Sequence, residues 1–162
     1  MTTLAYNKRA NFDYQISDKY EAGLVLTGQE VKSVKMGHIS LKESFVTIKG
    51  NELYLTNAHI TPYKHAGEIK NYDPTRPRKL LLKKSEIKHL TGKVRTQGLT
   101  LVPIRVYTGK RPASTRGDSS STRGGYIKLE FGIGKGKKKF DKRADIAKKE
   151  DKRKIQRFLK SH

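Results

Sequence analysis

Phe45-Val46-Thr47-Ile48-Lys49-Gly50-Asn51-Glu52-Leu53-Tyr54-Leu55 is the stretch on which the fold turns. Phe45, Val46 and Ile48 lead into Gly50-Asn51, and Leu53, Tyr54 and Leu55 follow. Two β-forming runs around a short glycine-containing turn predict a β-hairpin. Upstream, Ala22, Leu24 and Leu26 sit two apart, the period of a half-buried strand. Downstream, Leu80-Leu81-Leu82 predicts a short buried strand behind the proline-rich Asp73-Pro74-Thr75-Arg76-Pro77. Residues 99–107 are apolar and β-branched, with Pro103 marking an edge or a bulge, and residues 126–133 make the last strand. Two stretches have helical spacing. In residues 28–36, Val31 and Val34 fall three apart and Gly37 follows. In the other, Ser85 is an N-cap candidate, Glu86 suits the first turn, Ile87, Leu90 and Val94 repeat, and Gly98 ends the run. Gly92 is expected to break that helix into two turns. Roughly six short strands with two or three small helices predict a mainly β fold. The closed antiparallel barrel of oligonucleotide-binding type is the expected architecture.

Charge divides the chain differently. The 162 residues hold 36 Lys and Arg against 15 Asp and Glu, a formal net charge of +21, with only 34% hydrophobic residues. Such a balance attracts polyanions: RNA, DNA or an anionic membrane. Residues 135–162 alone carry 13 basic and 4 acidic side chains. The expected organisation is therefore a folded body over residues 1–133 and a basic tail over residues 134–162. Within the body, residues 109–125 are rich in Gly, Ser, Thr and Arg and are expected to form a flexible basic loop. There is no cysteine, which rules out disulfides and thiolate metal sites. The N-terminal residues lack the apolar core of a secretory signal, and no apolar run is long enough to span a bilayer. A cytoplasmic location without membrane contact is expected.

The tail opens Gly132-Ile133-Gly134-Lys135-Gly136-Lys137-Lys138-Lys139, a flexible exit from the last strand followed by a phosphate-seeking lysine cluster. It lacks the Ser/Thr and the spacing of a Walker loop. Beyond it Asp141 and Asp145 precede most of the lysines, the order a helix dipole favours, and Ile155, Phe158 and Leu159 share one helical stripe. Residues 148–154 contain no apolar side chain. An isolated helix of this composition is marginal in water, so the tail is expected to be disordered alone and helical once a partner neutralises it. In the body, Asn7-Lys8-Arg9 and the run Arg76, Arg78, Lys79 are basic clusters, while Tyr14, Tyr63, Tyr72 and Phe12 lie beside basic residues and can stack on bases, although packing in the barrel is the expected fate of any one of them. Catalysis finds little support. The five histidines have no metal-ligand spacing, no paired-carboxylate motif is visible, and no serine sits in a nucleophile elbow. No metal or cofactor is expected. A nuclease assembled from distant residues is the enzymatic alternative, and a general RNA binder the non-enzymatic one.

Five motifs in register make a specific combination. They are Asn7-Lys8-Arg9-Ala10, Tyr20-Glu21-Ala22-Gly23-Leu24, Gly28-Gln29-Glu30-Val31-Lys32-Ser33, Asp73-Pro74-Thr75-Arg76-Pro77-Arg78-Lys79-Leu80-Leu81-Leu82, and Gly136-Lys137-Lys138 followed by Asp141-Lys142-Arg143. Together they closely resemble the SsrA-RNA-binding (small protein B) family of bacterial trans-translation, over nearly the whole chain except residues 109–125. The resemblance implies a six-stranded antiparallel barrel with three helices that binds the tRNA-like domain of transfer-messenger RNA and has no catalysis of its own. It implies entry into stalled ribosomes with elongation factor Tu, the tail lying as a helix in the empty messenger channel by the small-subunit decoding centre. By position it ties Asn7, Glu21 and Lys128 to RNA binding, with Lys8, Arg9, Tyr14, Arg78 and Lys79 as neighbouring candidates. It ties Asp141, Lys142 and Arg143 to ribosomal engagement, flanked by Lys135, Lys137, Lys138 and Phe140. Glu21 can accept from base amino groups or orient a lysine; alternatively it forms an ion pair with Lys8 or Arg9. Phe140 and Phe12 stand where the family often has a histidine, or for Phe140 a tyrosine, so both keep stacking but lose hydrogen bonding.

Overall fold

The computed structural model of the chain describes residues 2–67, 71–109 and 125–160. The expected flexible loop, apart from its end glycines Gly109 and Gly125, lies outside the described residues. In chain order the elements are β1 (Thr2–Tyr6), α1 (Ala10–Asp13), β2 (Tyr14–Leu24), α2 (Gly28–Lys35), β3 (Ile39–Ser40), β4 (Phe45–Lys49), β5 (Glu52–Thr56), β6 (His59–Ile60), β7 (Arg78–Leu81), α3 (Lys84–Gln97), β8 (Thr100–Gly109), β9 (Tyr126–Gly136) and α4 (Lys139–Lys160). A 3-10 turn at Lys64–Ala66 lies between β6 and β7.

The hairpin forms as the sequence predicts. Ile48 faces Leu53 and Lys49 faces Glu52, which leaves Gly50-Asn51 as the loop. Gly50 adopts φ 59°, a conformation that costs glycine nothing. This hairpin is one part of a seven-stranded antiparallel sheet ordered β1-β8-β4-β5-β7-β2-β9. Pairing of β9 back onto β8 closes six of those strands into a ring and leaves β1 outside it. β8 shares one edge with β9 and divides the other between β1, at Arg105–Thr108, and β4, at Leu101. Pro103 sits at a register shift between β8 and β9, so its missing N–H falls at a bulge.

Alternation fills the ring. Leu53 and Leu55 from β5, Leu80 from β7, Ala22 and Leu24 from β2, and Leu129, Phe131 and Ile133 from β9 are all buried in one cluster. α3 closes onto it with Ile87 and Leu90. That helix begins at Lys84, so Ser85 lies inside it rather than capping it. The Glu86 carboxylate accepts from the Lys83 N–H at 2.9 Å, which satisfies one free donor of the first turn. α3 runs unbroken through Gly92, against expectation: Ile87 and Leu90 anchor it by burial, which outweighs one glycine's low propensity. Gly98 ends it in the left-handed region, φ 58°. α2 is held by a complete capping box, Thr27 accepting from the Glu30 N–H while Glu30 accepts from the Thr27 N–H at 2.9 Å.

β9 extends beyond the expected end of the body. Gly136 pairs with Tyr14, so the chain leaves the sheet at Lys137 rather than at Gly134. A second, smaller apolar cluster of Ala10, Val102 and Ile104, with Tyr14 and Ile16 against it, packs α1 beside this exit. The tail then forms α4, whose Ile155, Phe158 and Leu159 are exposed.

Candidate nucleic-acid interface

Three groups of side chains, and a buried ion-pair cluster beside them, account for the residues singled out in the sequence. The first surrounds the N-terminal loop. Asn7 is built into the backbone: its N–H donates to the Ile104 carbonyl at 2.7 Å and its Nδ2 to the Pro103 carbonyl at 3.0 Å. Its Oδ1 accepts from the Arg9 N–H at 3.2 Å. Asn7 therefore shapes the loop, while Lys8 and Arg9 are exposed on it. Arg9, Asp13, Tyr14 and Phe45 help line an open cleft of about 230 Å³ there. Tyr14 is half-buried, one side against the small cluster.

The second group lies on the outer faces of β2, β9 and β8. Glu21 pairs with Lys128, Oε2 to Nζ 3.5 Å, and not with Lys8 or Arg9. Strand register brings this about: Gly23 faces Lys128, and Tyr107 of β8 faces Lys128 from the other side. Glu130, opposite Glu21, pairs instead with Arg105 and, at 3.7 Å, Lys19. The Arg105 guanidinium stands 5.1 Å from the centre of the Tyr107 ring. The nearby Tyr107 phenol and then the Lys128 charge hold the Glu21 carboxyl below its ordinary range. Burial, then the Glu21 carboxylate, pushes the Tyr107 phenol up. The two do not meet in hydrogen-bonding geometry, and the Tyr107 hydroxyl is buried without a partner among the described residues. Beside them runs a groove lined by Glu21, Gly23, Leu81, Lys83 and Lys128. Leu81 is 57% exposed, an apolar side chain that sequence reasoning assigned to a buried strand. The Leu80-Leu81-Leu82 run hid it, because continuous apolar residues give no alternation from which to tell the outward face.

Arg78 and Lys79 separate at this point. Arg78, expected among the RNA contacts, is 0% exposed. Its Nε donates to Glu30 Oε1 at 2.9 Å, and its other nitrogens to the carbonyls of Ala58, Arg76 and Pro74. With every donor turned inward it presents nothing to a ligand and instead pins the proline-rich loop to α2. Arg76 reaches the same carboxylate from the surface, Nε to Oε1 3.0 Å. Burial opposes the Glu30 charge, but hydrogen bonds from Arg76, the Thr27 N–H and Arg78 outweigh it and hold the carboxyl below its ordinary range. Lys79 is half exposed and pairs with Glu52, which also accepts from the Tyr54 hydroxyl at 2.6 Å. Of the other aromatics, Tyr72 donates to the Ile60 carbonyl at 2.8 Å, and Tyr63 has the Lys32 ammonium 5.4 Å from its ring centre.

The third group is the root of the tail. The Lys137 N–H donates to the Asp13 carbonyl at 2.9 Å and its Nζ to the Asn11 carbonyl at 2.9 Å. The Lys142 Nζ donates to Asp13 Oδ1 at 2.8 Å and lies 6.0 Å from the Phe12 ring centre. Asp141 Oδ2 accepts from the Lys138 N–H at 3.3 Å, closing the first turn of α4. The Asp-Lys-Arg signature is thus divided among a helix start, a body contact and, in Arg143, an exposed cation. Phe140 is 81% exposed, and Lys135 and Lys138 face solvent.

Among the described residues, no group of three or more His, Asp or Glu side chains is placed to hold a metal ion, and no helix is long and apolar enough to cross a membrane. What the surface offers is cations, a carboxylate among them and stacking rings, the chemistry of a nucleic-acid interface.

Comparison with known proteins agrees along nearly the whole chain. The family model described as SmpB protein matches residues 4–161. The SsrA-binding protein of Alkaliphilus metalliredigens (strain QYMF) is 48% identical over 157 residues, 97% of this chain and 90% of that protein. The SsrA-binding protein of Carboxydothermus hydrogenoformans is 44% identical over 98% of this chain and 96% of its own length. A solved structure described as "tmRNA-SmpB: a journey to the center of the bacterial ribosome" is 43% identical, covers 83% of this chain and 84% of that chain, and superposes with a TM-score of 0.61. With body and tail both inside the match, the chain belongs to the SmpB protein family.

Proposed function

We propose that this protein is a non-catalytic RNA-binding adaptor of trans-translation, which binds transfer-messenger RNA and acts with it on the ribosome. The observation that carries this reading is the reach of the family match, residues 4–161, across the body's basic face and the tail alike. The finer picture is of a six-stranded oligonucleotide-binding-type barrel that takes the tRNA-like domain against Glu21, Lys128 and the Asn7–Arg9 loop. In it Lys128 and Arg9 serve phosphates, Tyr14 offers a stacking face, and Glu21 accepts from a base amino group. Lys79 is reachable once Glu52 releases it, and Arg78 supports the surface from within. Elongation factor Tu accompanies the charged RNA, and the work is done in the cytoplasm.

The tail is assigned to the ribosome. Its helix carries exposed Phe140 and Arg143 at one end and exposed Ile155, Phe158 and Leu159 at the other. The 4 acids of residues 135–162 are outnumbered by 13 cations, which leaves most of the tail's charge for a partner to neutralise. The helix is therefore marginal alone and gains its stability from ribosomal RNA in the messenger channel and decoding centre.

A competition gel shift tests the reading. The full chain should bind transfer-messenger RNA in the presence of excess tRNA and bulk RNA, and removal of residues 139–162 should leave that binding largely intact while abolishing peptide tagging on stalled ribosomes. Equal competition by bulk RNA would favour a general RNA binder, and cleavage of the RNA with divalent metal present would favour a nuclease.

A further inference from the structure

Tyr107 is the one buried side chain among the described residues whose polar atom has no partner. It is 1% exposed, on β8, with Lys128 of β9 directly opposite and the Arg105 guanidinium 5.1 Å from its ring centre. A buried hydroxyl that donates to nothing destabilises a fold, so phenylalanine would serve this position better if packing were all it did. The exposed carboxylate of Glu21 lies beside it, held by Lys128 through a long 3.5 Å ion pair. Both members of that pair are half open to solvent, 52% for Glu21 and 38% for Lys128, so a phosphate can compete for the lysine. When it does, the carboxylate loses the cation paired with it.

We propose that Tyr107 is a positioning residue of the RNA site: on RNA binding its hydroxyl takes over from Lys128 as the donor to Glu21. The exchange releases the lysine to a phosphate and keeps the carboxylate fixed to accept from a base amino group. The unpartnered hydroxyl of the free protein is then a donor held for the bound state. This inference rests on the assignment of Glu21 and Lys128 to the RNA site.

Tyr107→Phe in the full chain removes the hydroxyl and nothing else. Its affinity for the tRNA-like domain of transfer-messenger RNA, measured by filter binding, should fall about tenfold, the weight of one hydrogen bond to a charged group. Its thermal midpoint should be unchanged or higher. The salt dependence should keep its slope, because no phosphate contact is lost, whereas Lys128→Ala should flatten it by roughly one unit. In a Glu21→Gln background the same change should cost little more. Unaltered affinity in Tyr107→Phe, losses that simply add in the double variant, or a lowered thermal midpoint accompanying the weaker binding would each overturn the proposal. Failure of the unaltered protein to bind this RNA would instead remove the site assignment beneath it.

Discussion

Glu30 keeps its charge in a place with no water to share it. Two arginines and one backbone N–H surround it, and one of those arginines is itself wholly enclosed. Removing one partner strands the other, so Glu30→Ala should lower unfolding stability by about 3–5 kcal/mol in urea titrations, although no ligand contact is touched. The pH dependence has a definite sign. The folded carboxyl is held below its ordinary 4.5, so its contribution is complete above that value and disappears as pH falls through the folded value. The stability difference between the native chain and Glu30→Gln should therefore shrink as pH is taken from 7 toward 3. The same pair explains why Arg78 was misplaced by sequence reading. Arg76, Arg78 and Lys79 are alike as letters in a basic run. The carboxylate that decides which of them goes inside lies 48 residues upstream of Arg78, beyond the reach of any local pattern.

At the level of elements, what was legible is what is local. The β4–β5 hairpin, α2, the stop at Gly98 and the bulge at Pro103 each follow from residues adjacent in the chain. β1 was not anticipated, because it is stabilised by β8, with Thr2 pairing across to Thr108. The Glu21–Lys128 pair emerges only from the register of β2 on β9, although the family resemblance ties both residues, by position, to RNA binding. The docking of Lys137 and Lys142 on α1 was invisible for the same reason: charge runs in a sequence do not show which cation finds a carbonyl and which an acid. The β2–β9 pairing also makes a glycine indispensable. A Cβ on Gly132 would come within 2.5 Å of Ile16 Cγ2 and 3.1 Å of the Asp18 carbonyl oxygen, where β2 shifts register. Gly132→Ala should thus cost about 1–3 kcal/mol through overpacking, read as a lowered denaturation midpoint with an unchanged dependence on denaturant.

Across the whole molecule the net charge of +21 sets the character of binding. If roughly 6–10 phosphates are engaged, affinity for RNA should fall by about 10³–10⁵ between roughly 50 and 200 mM salt, taking duplex slopes as the guide. A nearly flat salt titration would contradict an electrostatic interface. The closed ring has a consequence for biogenesis. Its last strand, β9, is the partner of both β2 and β8, and it places Gly136 against Tyr14 from the far end of the body. A nascent chain that has not yet released β9 from the ribosome displays two long unpaired strand edges, the kind of surface that invites intermolecular association. The ring can therefore close only once β9 is available, by contacts of very large sequence separation, which is slow. A protein assigned to rescuing stalled ribosomes is itself a chain that a stall ahead of β9 would leave with both edges open.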